Sequence, residues 1–344
     1  MVSVIGEWVE GGVAVVGAGG AGDVVSAYVT CRVLRDLFGV RDCVPVAVLW
    51  ERWVLDPCPG PIPRALIRGA SADGPCVMVG EGTEVVRCGR SFKPQASAIA
   101  SLLGSPVPGI TLEFGAEGVR ACLEHLMGRY GSVLLLDVGG DILAEGWEEG
   151  LWSPLTDSLV LAAAAGLPRA YVGVLAPGAD GELPADYVLE RMALAARLGG
   201  FLGSIGLWRD HASIYEEVLP LTHTEAGRAA YRALKGIMGY EGMRDGTRKA
   251  PAEPYSPIIY VFTTESILKI NKLAQNLTNT KTLAEAVKKA EQLGIPTELH
   301  LETWIAKNIG CLKQPKPHHW KQAKQHLRTH NTHNTPGGQS SGVG

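Results

Sequence analysis

Four loops that follow apolar runs each carry acidic residues: Asp23, Glu51, Asp137 with Asp141, and Asp180 with Glu182. Glu148 and Asp157 lie close enough along the chain to join them. Carboxylates grouped in this way act as general acids and bases, or hold Mg²⁺ together with phosphate oxygens. A single Asp in a turn says little, because turns favour it. Acids in every such loop point to a polar pocket for a sugar, an amine or a divalent cation. Asp137, Asp141, Glu148, Asp157 and Asp180 are therefore the catalytic candidates. No nucleophile elbow, H-E-x-x-H pair or Ser-His-Asp order is evident.

Gly17, Gly19, Gly20 and Gly22 form the second feature. They sit between an apolar run, Val13 to Val16, and the helical spacing of Val24, Val25, Tyr28, Val29, Val33, Leu34 and Leu37. Gly17, Gly19 and Gly22 satisfy G-x-G-x-x-G, and a helix start after such a turn attracts phosphate. With Asp23 these glycines are the cofactor-binding candidates. A NAD-type dinucleotide leads over another nucleotide with Mg²⁺, because the turn lacks the P-loop lysine. Glu51 stands 29 residues beyond Gly22, near the end of the second strand. Dinucleotide sites place a ribose-binding acid there, usually at a spacing of about 20. Asp23 constrains the ligand: a bare carboxylate facing a phosphate costs about 4 kcal/mol for unit charges 4 Å apart at a dielectric of 20. It must cap the helix, bind a hydroxyl or meet phosphate through a metal.

The elements that would position these residues alternate. Strands are expected at 13–16, 44–49, 133–136, 171–175 and 258–262, with two short ones in 76–90. Helices are expected at 94–104, 115–128, 184–198, 209–219, 224–238, 264–277 and 282–293, the last opened by Thr282 and Glu285 as a capping box. Another is expected after Ser153 as N-cap, with Pro154 at its first position. Residues 1–12 read as an edge strand or lead-in, the proline-rich 56–69 as a stiff loop, and 240–257 as a mobile loop. The pattern predicts one α/β domain over 1–310: a doubly wound, mostly parallel, Rossmann-like sheet with helices on both faces.

Composition narrows the classes. A chain of 344 residues with 46% hydrophobic and 19% charged residues can bury a sizeable core. A net charge of -3 makes no general case for nucleic acid or an anionic membrane. No run is long and apolar enough to span a membrane, and the first residues lack the features of a signal peptide. Seven cysteines without C-x-x-C argue against a disulfide framework or zinc site, so Cys31 and Cys122 read as small buried hydrophobes. A cytoplasmic protein is the expectation. Residues 311–344 are basic and His-rich and lack acids. They read as a disordered tail in which His319 to His330 could form a basic helix. This tail is the one segment suited to nucleic acid.

GAGGAGD after a strand, DVGGDILAEGWEEGLWSPLTDSL and GADGEL resemble a mainly archaeal family known as domain of unknown function 1152. The resemblance rests on Gly19, Gly20, Gly22, Asp23, Asp137, Gly139, Gly140, Asp141, Glu148, Pro154 and Asp157, and covers roughly residues 10–300. The chain departs from that pattern by the extra Ala21 and by Ile142, where serine is common. The family implies no activity. The expected function is that of a nucleotide-binding enzyme with a glycine phosphate cradle beside an acidic pocket. Its partner is a small phosphorylated ligand, and a homo-oligomer is an option. The alternatives are a Mg-dependent phosphoryl- or sugar-transfer enzyme and a non-catalytic ligand sensor.

Overall fold

The computed structural model describes residues 4–243 and 246–331. The chain opens on helix α1 (Val4–Gly11), not on the expected strand or lead-in. Its Trp8 is fully buried, edge-on to Tyr171. The first β-turn-α unit follows as β1 (Val13–Gly17) and α2 (Asp23–Phe38), with β2 (Cys43–Val48) after it. The proline-rich segment leads into short strands β3 (Ile67–Arg68), β4 (Ser71–Asp73), β5 (Cys76–Val79), β6 (Glu84–Arg87) and β7 (Arg90–Phe92). Then come α3 (Gln95–Leu103), β8 (Val107–Ile110), α4 (Gly115–Tyr130), β9 (Val133–Val138), α5 (Pro154–Ala164), β10 (Ala170–Leu175) and α6 (Ala185–Arg197). The chain continues through β11 (Phe201–Gly206), α7 (Ala212–Val218), α8 (Arg228–Leu234), β12 (Gly239–Met243), β13 (Arg248–Ala252) and β14 (Ile258–Thr263). It closes with α9 (Thr264–Ile270), α10 (Lys272–Leu277), α11 (Leu283–Gln292), α12 (Glu298–Asn308) and α13 (Pro317–Asn331).

The main sheet has nine strands in the order β11-β14-β10-β9-β1-β2-β8-β5-β4. Its centre, β10-β9-β1-β2-β8, is parallel. The flanks are antiparallel: β14 pairs with β10 and β11, and β5 with β8 and β4. β11 escaped prediction because FLGSIG carries two glycines and lies largely exposed. Side chains alternate across a strand, so each central strand feeds two separate cores. Ala14, Val16, Val133, Leu135, Val172 and Val174 join α4, α5, α9 and α10. Val13, Val15, Leu134, Leu136 and Tyr171 join α2, α3, α7 and α8. Every residue of β1, β9 and β10 is buried, as a parallel centre requires.

The strand order reverses beside β1. The chain runs β1 to β2 to β8 in one direction, then returns to place β9 on the other side of β1. The loops leaving the carboxyl ends of β1 and β9 therefore diverge, and the crevice between them is where open α/β sheets bind ligands. This topology brings the glycine turn and the Asp137 loop together across a sequence gap of more than a hundred residues.

Three further expectations are corrected by the structure. Residues 240–257 are not one loop: β12 and β13 form an antiparallel ribbon there, pairing Gly239 through Met243 with Ala252 through Arg248. It is pinned by Arg248, whose buried Nη1 donates to Glu182 Oε1 at 2.6 Å. Residues 317–331 are a docked helix rather than a disordered tail. Ala323 is fully buried against Trp53, Leu301 and Ile305, and the Lys324 ammonium donates to the Leu151 carbonyl at 2.9 Å. Residues 332–344, including His333, lie outside the described residues. Finally, six cysteines are paired: Cys31–Cys43, Cys58–Cys88 and Cys76–Cys122, with Cα atoms 5.3, 5.9 and 5.2 Å apart. The odd cysteine that spoke against disulfides is Cys311, which is free. Among the described residues no helix is long and apolar enough to cross a membrane.

Candidate functional site

A cavity of about 480 Å³ opens at the carboxyl ends of β1 and β9. Asp23, Asp137, Asp141, Asp157 and Asp180 line it, along with Gly19, Gly20 and Gly22. Each acid arrives by a different route. Asp23 opens α2, and its Oδ2 accepts the backbone N–H of Gly19 at 3.0 Å. Asp137 belongs to β9, and its Oδ2 accepts the Ile142 N–H at 3.0 Å. Asp141 begins the single 3₁₀ turn after Gly140. Asp157 sits in the first turn of α5. Asp180 follows β10, and its Oδ1 accepts the Glu182 N–H at 2.7 Å. Gly139 cannot be larger, since a Cβ there would lie 1.9 Å from Asp180 Oδ2.

The acids crowd into a narrow space. Asp23, Asp137 and Asp157 each present one carboxylate oxygen, all within 4.8 Å of one another. Asp137 is 2% exposed and Asp157 3%. Among the described residues no hydrogen-bond partner reaches Asp157 Oδ1, Asp141 Oδ1 or Asp180 Oδ2. Burial disfavours the charged form, and neighbouring like charges add to it. Burial pushes the Asp23 carboxyl up to about 7, against the pull of Arg52. Burial, then Asp23 and Asp180, hold the Asp137 carboxyl well above the usual carboxylate range. Burial, then Asp137 and Asp23, do the same to Asp157. Asp141 is raised by burial and by Asp180 and Glu182, and Asp180 is pushed up to about 6, mostly by burial. A divalent cation bound to such a cluster would displace its carboxyl protons to solvent.

Other candidates serve the frame. Glu51 does not line the cavity: Oε1 accepts the Gln95 N–H at 2.8 Å and Oε2 the Gln95 Nε2 at 3.2 Å. Gln95 Oε1 in turn accepts the His223 N–H at 2.7 Å. Glu51 thus orients Gln95, which positions a cavity loop. Glu148 also stands apart, accepting from the Glu145 and Gly146 N–H groups and the Tyr187 hydroxyl. Gly17 ends β1, where a Cβ would meet the Asp23 backbone at 2.6 Å, so it permits close strand–helix approach. In the turn itself, Gly20, Ala21 and Asp23 donate their N–H groups to carbonyls of Gly17, Trp50 and Gly20. With Gly19 given to Asp23, these four donors are satisfied within the chain.

Sequence reasoning missed the opposite wall. Arg52 lines the cavity beside Glu182, Glu298, Glu302 and Asp23, and these acids outweigh burial to hold its guanidinium charged. Ser153 is the N-cap residue of α5 with Pro154 at its first position, but the capping bonds come from Glu298, whose carboxylate accepts the Leu155 and Thr156 N–H groups at 2.9 and 2.8 Å. The Ser153 hydroxyl donates to Glu182 instead, at 2.7 Å. Only the adjacency of Arg52 to Glu51 offered a signal, since Glu298, Glu302 and Arg248 reach the cavity from distant segments.

A family model described as "Protein of unknown function (DUF1152)" matches residues 14–306. The chain belongs to this family. No curated protein and no solved structure is significantly similar to it. The DUF1152 match takes in every acid of the cavity floor but ends before α13. The helix that supplies Trp320 to the cavity wall therefore lies beyond the matched segment.

Proposed function

We propose that this protein is a divalent-cation-dependent enzyme acting on a small phosphorylated ligand by phosphoryl or sugar transfer. The observation that carries this reading is the convergence of the Asp23, Asp137 and Asp157 oxygens within 4.8 Å at the strand-order reversal. A Rossmann-like, doubly wound fold with helices on both faces is part of the same reading, supported by the two cores that flank the central strands. Asp23, Asp137 and Asp157 would hold Mg²⁺, which takes few carboxylates and fills its shell with phosphate oxygens and water. The cation resolves the conflict between Asp23 and a phosphate, because it answers both charges. Arg52 and Arg228 would balance phosphate charge from the opposite wall. Asp180, with its pKa near 6, suits proton transfer at neutral pH, and Asp141 stands beside it.

The geometry favours this over a NAD-type dinucleotide. Four donors of the turn, from Gly19, Gly20, Ala21 and Asp23, are engaged within the chain and Glu51 holds Gln95, which weakens both the phosphate cradle and the ribose contact. Three disulfides suit an oxidising compartment or the interior of a hyperthermophile rather than an ordinary cytoplasm. The test is a thermal-shift and turnover panel of ATP, ADP, NAD and ribose 5-phosphate, with and without Mg²⁺. Stabilisation that requires Mg²⁺ is expected. Equal stabilisation by NAD without a cation would favour the dinucleotide, and none by any ligand at millimolar concentration would remove the phosphorylated ligand.

A further inference from the structure

The far side of the cavity has a different chemistry from its floor. Trp53, Val54, Leu301, Pro315, Pro317 and Trp320 line it, with Gln314 among them. Two of these, Trp53 and Trp320, meet edge to face, their centroids 5.9 Å apart at 86°. The pair is built, not accidental. Trp53 Nε1 donates to the Lys313 carbonyl at 3.3 Å, tying the loop before α13 to the wall. Lys324, one turn along α13, is buried with its ammonium on the Leu151 carbonyl and 4.6 Å from the centre of the Trp152 ring. The Arg248 guanidinium also lies over Trp152, at 4.8 Å. Trp152 therefore serves two cations, Trp53 is 7% exposed, and the more open indole on this wall is Trp320.

We propose that Trp320, braced edge to face by Trp53, is the stacking platform for the planar base of a nucleotide whose phosphate end reaches the cation on the acidic floor. The phosphate end rests on the reading given above; the base subsite rests on the tryptophan pair. A flat π-face stacks on an indole whatever the base, and the Gln314 amide offers both a donor and an acceptor to a base edge. An inorganic or sugar phosphate would use the floor and leave this wall idle. Trp320 on α13 lies beyond the segment that the family model matches, whereas Trp53 lies within it.

The experiment uses the full chain with Mn²⁺ as cation, reading free Mn²⁺ by electron paramagnetic resonance and ligand binding by tryptophan fluorescence and calorimetry. Wild type is expected to bind AMP about 5- to 150-fold more tightly than ribose 5-phosphate, the span of one stacked base. Trp320→Ala should erase that difference while leaving Mn²⁺ affinity and ribose 5-phosphate binding within about twofold, and Trp320→Phe should restore most of it. Equal affinity of wild type for AMP and ribose 5-phosphate would overturn the base subsite, whether or not Trp320→Ala keeps α13 docked. Unchanged AMP binding in Trp320→Ala would also overturn it. Absence of Mn²⁺ binding in wild type would instead strike the cation reading and leave the base preference to be judged on AMP alone.

Discussion

Asp23 turns its carboxylate back onto its own turn, taking the Gly19 N–H at 3.0 Å. A glycine turn that could have cradled phosphate thus holds an acid in place. Gly19 is required for this: a Cβ there would meet Asp23 Oδ2 at 2.8 Å and Asp157 Oδ2 at 3.2 Å. Gly19→Ala is expected to push the two carboxylates apart and weaken Mn²⁺ binding without unfolding the chain. A Mn²⁺ titration beside a thermal melt would check both halves of that statement.

Neutralising any one carboxylate of the triad should have two effects of opposite sign. Asp137→Asn and Asp157→Asn are expected to lower Mn²⁺ affinity about tenfold or more. Without cation the same variants should melt higher than wild type at pH 8, because a buried like-charge neighbour is gone. Glu148→Gln, off the cavity, should leave Mn²⁺ affinity unchanged. A triad variant that binds Mn²⁺ as wild type does would separate that acid from the cation.

The raised carboxyls also set a pH dependence. Asp23, Glu51 and Glu302 are each pushed by burial to about 7. Their unfolded values lie near 4, so the unfolded chain binds fewer protons across the interval between. The stability they contribute is full below about pH 4 and is lost as pH rises through about 7. Cation-free protein should therefore melt lower at pH 8 than at pH 5.5. Mn²⁺ should bind more tightly at pH 8 and recover part of that loss. A flat cation-free melting profile would contradict the burial of these acids.

The two framing acids predict loss of stability rather than of binding chemistry. Glu51→Ala removes both acceptors of Gln95, and Glu298→Ala uncaps α5. Each should cost about 1–3 kcal/mol in urea unfolding. Glu51→Ala should keep Mn²⁺ affinity. A ligand affinity that fell in Glu51→Ala with stability intact would restore its ribose role.

Thiol counting tests the disulfides directly. Denatured, unreduced protein should show one reactive thiol, Cys311, and reduced protein all seven. Reduction should lower the melting temperature, since bridges spanning 12, 30 and 46 residues restrain the unfolded chain. More than one thiol before reduction would open at least one bridge.

The central strands and the floor acids were legible because each signal is local. An apolar run, a turn and an acid stand in one short stretch, and Asp23, Asp137, Asp141 and Asp180 all lie within such units, while Asp157 follows the Ser153–Pro154 helix start. What failed depended on distance. The cysteine pairs meet only once β2, α2 and the strands around them have formed. Glu298 caps a helix whose first residue lies more than a hundred positions earlier, a role that belongs to no local pattern. Glu51 satisfied the position expected of a ribose acid, but the neighbour that takes it, Gln95, comes from the start of α3. The basic composition of α13 masked an anchor of one small and one long side chain, Ala323 and Lys324, set on a wall of tryptophans.

Crystals of the protein soaked in Mn²⁺ and measured at the manganese edge test the central claim most directly. The account predicts one anomalous peak within coordinating distance of Asp23, Asp137 and Asp157, missing from crystals of Asp137→Asn. A saturating soak with no peak at these three carboxylates, or a peak that persists in Asp137→Asn, would contradict it.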